Sequence, residues 1–325
     1  MANCYLGIAN NNLFLNEFEE SIIKAEFAKA FAMKAGQDTL IAHAERLIGN
    51  ANFFLGKFTK ALKNWDTALN LFQSLSVPKD IHWVNEWRCI CLIQLNRIDE
   101  ALQLCEALVS EASYYEWGGE LAAMTYFRGT IQVRREFYQE GTADFLVAAQ
   151  LFEQLQEPHW VARVNLEHAE LLVRLDDYIG ARHLLGKAEN EFTRQEMPKW
   201  LAQIWLVQSK ITQAEGSLDK AELLIHQAQG FIRAYNIPAL NYQVSFQLAE
   251  IAERKNQSSK ALDHYCQAIT QLERIRGSVT LELRGDFLKD KMQVYEAAVF
   301  TALNQADIER AYDYIERSKS RALTE

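Results

Sequence analysis

Small and large apolar positions return along this chain with a period of 40 residues. One column is small throughout: Ala9, Gly49, Cys89, Gly129, Ala169, Ser209 and Ala249. A second, equally small, runs Ser21, Ala61, Ala101, Gly141, Ala181, Ala221 and Ala261. A third, Ala28, Ala68, Leu108, Ala148, Ala188, Ala228 and Ala268, is broken once by leucine. A fourth supplies bulk, Phe18, Phe58, Ile98, Tyr138, Tyr178 and Leu218, with Ser258 the departure. Small side chains recurring where helices cross let backbones approach closely, and bulky ones fill the space between them. Columns at a fixed period of this length are the signature of a repeat array.

Turn formers divide each unit in two. Near the midpoints stand Asn16, Gly56, Asn96, Asp176, Gly216 and Asn256, residues that tolerate unusual backbone angles, with Glu136 the exception. The four prolines, Pro78, Pro158, Pro198 and Pro238, share another register, where a fixed φ and a missing N–H suit a first helical turn. Gly118 and Ser278 hold that register without proline. Nowhere do β-branched residues alternate between turn signals, so no strand is expected. The pattern predicts an all-α fold of helix-turn-helix repeats stacked into a solenoid. Residues 1–276 form seven units of about 40 residues, and 277–325 form a longer terminal helical pair, expected to lead into a further C-terminal domain.

The chain of 325 residues has no Pro-, Gly- or Ser-rich linker, which suits one continuous core. It has no uncharged apolar stretch of about 18 residues, and Met1-Ala-Asn-Cys4 lacks a basic leader region. The reading is a cytoplasmic protein with no membrane partner. Lys plus Arg number 34 against 43 Asp plus Glu, for a net charge of −9, with the signs interspersed. Phosphate binding needs clustered cations, so nucleic acid is not an expected partner. Cys89 and Cys91 are two apart and Cys4, Cys105 and Cys266 are isolated, without zinc-site spacing; they read as small apolar residues. His168, near Glu167 and Glu170, has no second ligand at a useful helical spacing. Asp176-Asp177 falls in an inter-helix turn, where a carboxylate caps a helix. No catalytic residue, cofactor or metal is expected, and the chain reads as a non-enzyme.

The column pattern resembles the tetratricopeptide repeat. Gly49, Gly56, Phe58, Ala61, Trp65 and Ala68 follow that family's order and spacing, although its unit of about 34 residues is shorter. The resemblance implies a right-handed superhelix whose first helices line a concave groove for a peptide or protein partner. Groove-facing positions of the family correspond to Arg46, Asn50, Phe53, Glu86, Ile90, Ile93, Tyr126, Arg134, Leu166, Glu170, Arg174, Leu206, Lys210 and Phe246. Arg46 and Asn50 resemble part of the carboxylate clamp of chaperone-binding members. Trp87, Ala123 and Phe127 stand at the later clamp positions, so a clamp is rejected. Trp160 and Trp200, in one register after proline, read as seals at repeat boundaries.

The last fifty residues carry a second resemblance. Leu283-Arg-Gly-Asp-Phe287, then Tyr295, then a closing Glu316-x-x-Lys319-x-Arg321-x-Leu323 is similar to the helical pair that precedes a CHAT domain, the caspase-like peptidase module of many bacterial proteins. It implies the regulatory arm of a bacterial CHAT-type peptidase or signalling protein, with catalysis in a C-terminal domain and Arg317, Lys319 and Arg321 at the junction. The peptidase domain's own surface would then be a further partner. Two alternatives stay open: a peptide-sensing regulator of the quorum-response type, and the sensor arm of a signal-transducing ATPase or transcription activator. Tyr5, Leu6, Ile8, Leu13, Phe14 and Leu15 in the first unit predict a missing cap or a homodimer formed through uncapped ends.

Overall fold

A computed structural model describes residues 1–234 and 238–319, and all their side chains but those of 238, 239, 281 and 282. Among the described residues the elements are all helices: α1 (Ala2–Phe14), α2 (Phe18–Lys34), α3 (Asp38–Phe54), α4 (Phe58–Ser74), α5 (Pro78–Gln94), α6 (Ile98–Tyr114), α7 (Gly118–Arg134), α8 (Tyr138–Gln154) and α9 (Pro158–Arg174). The chain continues through α10 (Tyr178–Arg194), α11 (Pro198–Ala214), α12 (Leu218–Ala234), α13 (Pro238–Arg254), α14 (Ser258–Arg276), α15 (Leu281–Lys289), α16 (Met292–Asn304) and α17 (Ile308–Ser318).

The period has a simple local origin. Helices of 17 residues, such as α2, α3 and α4, alternate with three-residue turns, so two helices and two turns make one unit. The midpoint residues Asn16, Gly56, Asn96, Glu136, Asp176, Gly216 and Asn256 all have φ between 58° and 80°. The next amide donates to the carbonyl five residues back, as from Lys57 to Asn52 at 2.8 Å and from Asp177 to Leu172 at 2.9 Å. That bond satisfies a helix-end carbonyl in the Schellman manner. The boundary turns are built alike, with Gly36, Ser76, Glu116, Gln156 and Glu196 left-handed. Their composition hid this, because serine, glutamate and glutamine pay about 1–2 kcal/mol for that conformation. Proline then opens α5, α9 and α11 two residues later and prevents helix continuation.

The two small columns meet across each pair. Ser21 Oγ donates to the Ala9 carbonyl at 2.7 Å, and Cys89 Sγ to the Ala101 carbonyl at 3.5 Å. At the pair α7/α8, a Cβ on Gly141 would lie 3.1 Å from the Gly129 carbonyl oxygen. First helices also touch the first helix of the next pair, α1 with α3 and α3 with α5, and again α7 with α9, α9 with α11 and α11 with α13. Within each of these runs the first helices thus form one layer, the inner one of the repeat, and the second helices the other.

The chain divides into two compact units. Unit 1 holds Met1–Leu104 and Ile275–Arg284; unit 2 holds Cys105–Arg274 and Gly285–Glu325. In unit 1, Trp65 is the largest fully buried side chain and lies within ring distance of Phe53 and Trp87. The segment 275–284 bonds to the α3–α4 turn: Ser278 Oγ donates to the Gly56 carbonyl, and the Thr280 amide to Thr59 Oγ1 at 3.2 Å. Ser278 therefore opens no repeat, although it holds the proline register. At the chain start Tyr5 stacks on Phe31, and Leu6 and Leu13 join the core of Ala9, Ala25, Leu47 and Ile48. Ile8, Phe14 and Leu15 stay exposed, Phe14 by 77%.

In unit 2 the repeat resumes ten residues late. Ala306, with φ 58°, takes the role of Asn256, and Ala311 that of Ala261. The pair α16/α17 stacks on its predecessors through a bidentate Arg317–Glu273 contact at 2.7 and 3.1 Å, a Thr301–Glu253 hydrogen bond, and Tyr314 donating to the Leu262 carbonyl. Where one longer terminal pair is expected from sequence, the structure has the short helix α15 followed by a regular pair. Arg321 and Leu323 of the closing motif lie outside the described residues. Cys89 is buried, as its small column predicts, and so are Cys91 and Cys105, whereas Cys4 and Cys266 are exposed, against the apolar reading of all five. No described helix is long and apolar enough to cross a membrane.

Candidate functional site on the inner face of unit 2

Helix α9 carries a polar stripe at i, i+4, i+7 and i+11: Arg163, Glu167, Glu170 and Arg174. The neighbouring face, with Ala162, Leu166 and Ala169 about 100° round the helix, enters the core. The spacing places the four on one side of the helix, and Arg163 there reaches Tyr126 of α7 and Trp200 of α11, in the first-helix layer. From α7 come Tyr126 and Arg134, from α11 Lys199, Gln203 and Lys210, and from α13 Tyr242, Gln247 and Glu250.

Arg163 is the centre of the arrangement. Its guanidinium lies 3.9 Å from the Trp160 ring centroid, 4.6 Å from that of Trp200 and 5.7 Å from that of Tyr126. The two indoles are held in turn by stacking on Phe152 at 5.0 Å and on Phe192 at 5.7 Å. They seal repeat boundaries, and their outer faces clamp a cation. Arg163 Nε, Gln203 Oε1 and Gln247 Oε1 are closed off from solvent without a hydrogen-bond partner. Such atoms each cost about 1–3 kcal/mol until paired.

The charges on this face are strained. Burial, reinforced by the neighbouring Glu170 carboxylate, pushes Glu167 up to about 7, although Arg134, Arg163 and Arg174 pull the other way. Glu167 is therefore poised to accept or donate a hydrogen bond near neutral pH. Burial, and then the Arg163 charge, bring Lys199 down to about 8. Tyr126 is raised by burial and by Glu167, and Glu250 is raised by burial against the counter-pull of Lys210. Among the described residues no three His, Cys, Asp or Glu side chains are grouped to hold a metal. The face is equipped for recognition: aromatic platforms and both signs of charge.

The positions expected from sequence divide by burial. Arg134 pairs with Asp290 at 3.2 Å, Tyr126 is buried beside Arg163, Glu170 is half-buried, and Arg174 and Lys210 are exposed. Phe246 is half-buried, 6.0 Å from the Tyr265 ring. Leu166 and Leu206 are 1% and 3% exposed and belong to core clusters, so they hold the wall rather than present a surface. In unit 1, Asn50 is buried and accepts the Trp65 indole N–H at 2.9 Å, and Ile93 is buried. Phe53 packs among Phe54, Trp65 and Trp87. Packing accounts for these three. Glu86 and Ile90 are half-buried, and Arg46, whose pKa burial lowers, lies 6.0 Å from the Trp83 ring. Sequence reasoning missed Arg163, Glu167, Lys199, Gln203 and Tyr242. The four-residue polar stripe on α9 was the readable signal for the first two.

No family model matches the chain, and no curated protein matches it. Solved structures do. A Rap protein complexed with competence and sporulation factor is 13% identical, with a TM-score of 0.72 over 85% of this chain and 76% of that one. The apo quorum sensor NprR from B. thuringiensis is 17% identical, with a TM-score of 0.64 over 82% and 75%. A tetratricopeptide repeat protein from Parabacteroides merdae is 15% identical, with a TM-score of 0.52 over 87% and 98%. At these identities the likeness shows the fold, a tetratricopeptide-like helical repeat.

Proposed function

We propose that this chain is a peptide receptor, a helical-repeat scaffold that lays an extended or helical peptide along the inner face of unit 2. The observation that carries the reading is Arg163, clamped between Trp160 and Trp200 beside the Glu167, Glu170 and Arg174 stripe. Aromatic anchors supply contact area at low entropic cost, and the exposed Arg174 and Lys210 offer charges to a peptide's acidic groups. The peptide-sensing regulator is the favoured class, since Rap structures of the same fold hold competence and sporulation factor in one case and the Phr* peptide in another.

The peptidase-arm reading rests on the terminal motif alone. Within it Glu316 and Lys319 pair with each other, and Arg317 is engaged by Glu273. These contacts serve the terminal pair itself and lend no support to a docked domain. One fold neighbour is an aspartyl phosphate phosphatase from Bacillus subtilis; this inner face supplies charged and aromatic groups suited to binding, and the chain is read as a binder.

Selection of a random peptide library on the immobilised full chain tests the proposal. Enriched peptides should slow amide exchange in α9 and α11 and lose at least tenfold in affinity in Arg163→Ala and Arg174→Glu. Enriched peptides that bind both variants as well as the parent would overturn it.

A further inference from the structure

The residues that break the repeat register, between α14 and α16, end in a turn that sits on the proposed binding face. Asp290, in that turn, accepts a hydrogen bond from Arg134 Nη1 at 3.2 Å across 156 residues of sequence. Arg134 is the last residue of α7 and holds a groove-facing position of the repeat. Next to it Lys291 is buried; its ammonium donates to the Phe287 carbonyl at 3.0 Å and to Asp290 Oδ1 at 2.5 Å, and lies 4.4 Å from the Phe287 ring centroid. Phe287 and Leu288 are buried as well. Tyr242 on α13 lies within Coulombic range of both Asp290 and Arg134. Residues from two first helices, α7 and α13, thus meet at one turn of the chain's own C-terminal region.

We propose that the α15–α16 turn is an internal competitor for the inner face of unit 2, latched by the Asp290–Arg134 ion pair, and that the displacing ligand is a peptide with a carboxylate for Arg134. The inference rests on the receptor reading and adds its regulation. Both partners of the pair are about one-third exposed. Ion pairs of that exposure are weak and screened by salt, so the latch is easily exchanged for a better-anchored carboxylate. An external ligand sees its affinity reduced by the fraction of molecules that are open.

The test uses the full chain, its Asp290→Lys and milder Asp290→Asn variants, and a fluorescent synthetic peptide with the sequence Leu283–Met292. Amide exchange of residues 285–291 should accelerate at least tenfold in Asp290→Lys, less in Asp290→Asn, and return towards the parent value in the swapped Arg134→Asp/Asp290→Lys double variant. The peptide should bind Asp290→Lys at least tenfold more tightly than the parent. Exchange within twofold of the parent in both single variants overturns the latch, and so does faster exchange with no gain in peptide affinity. The exchange readout needs no ligand, so either failure is separate from failure of the receptor reading, which is judged on selected peptides and Arg163.

Discussion

Replacing Gly49 by alanine tests whether the small column marks a close helix crossing. A Cβ at Gly49 would stand 2.4 Å from Trp65 Nε1 and 2.5 Å from Cδ1, so the partners must part by about 1 Å to reach ordinary contact distance. Trp65 has nowhere to go. It is 0% exposed, its indole N–H is bonded to Asn50, and Phe53 and Trp87 flank it. Overpacking of this kind costs about 1–3 kcal/mol, and a displaced indole gives up a hydrogen bond of about 1 kcal/mol. Alanine returns roughly 1 kcal/mol of helix propensity. The expected net loss is about 2 kcal/mol. Gly230 is the control: it lies in helix α12, exposed, and nothing stands within 4 Å of its added Cβ. There Gly→Ala should stabilise by about 0.5–1 kcal/mol. Urea denaturation followed by circular dichroism and tryptophan fluorescence reads both, with matching slopes required before midpoints are compared. A Gly49→Ala chain as stable as the parent would refute the reasoning, because the column would then mark no contact.

Glu167 and the cysteines supply two further predictions. Folding raises the Glu167 pKa to about 7 from its ordinary value of 4.5, so the native state holds the proton more tightly than the unfolded chain. The resulting penalty is absent at low pH, grows as pH rises from 4.5 to 7 and is complete above 7. At about 1.4 kcal/mol per pH unit it is on the order of 3 kcal/mol. Glu167→Gln should therefore be more stable than the parent at pH 8 and converge with it near pH 5; parallel stability curves would sink the idea. Of the five cysteines, Cys4 and Cys266 should react rapidly with a thiol reagent, and Cys89, Cys91 and Cys105 only on unfolding, with the Cys91 thiol pushed up to about 12 by burial. Three or more fast thiols would contradict this packing.

The helical repeat was written in local chemistry, which is why it was legible. Small columns at a fixed period report helix crossings, Asn16 or Gly56 reports a left-handed turn, and Pro158 reports a first helical turn; each signal acts within a few residues of its cause. The boundary turns at Glu116 and Gln156 escaped because their left-handed backbone is imposed by end-of-helix hydrogen bonds that nearly any residue accepts at a cost. The groove was legible as a set of registers but not as a surface. Tyr126, Leu166, Leu206 and Phe246 share one register, and only burial shows that the first three belong to the wall while Phe246 is half-buried. Arg163 became the centre of the face through Trp160 and Trp200, which stand on two different helices. Asp290 met Arg134 across 156 residues, a pairing no period predicts. The sequence by itself determined the helices, their turns and their pairing, since those follow from short-range backbone and packing preferences. Tertiary structure alone decided which charges lie together and what covers them, because Coulomb and desolvation energies depend on distances and burial that only the assembled fold sets.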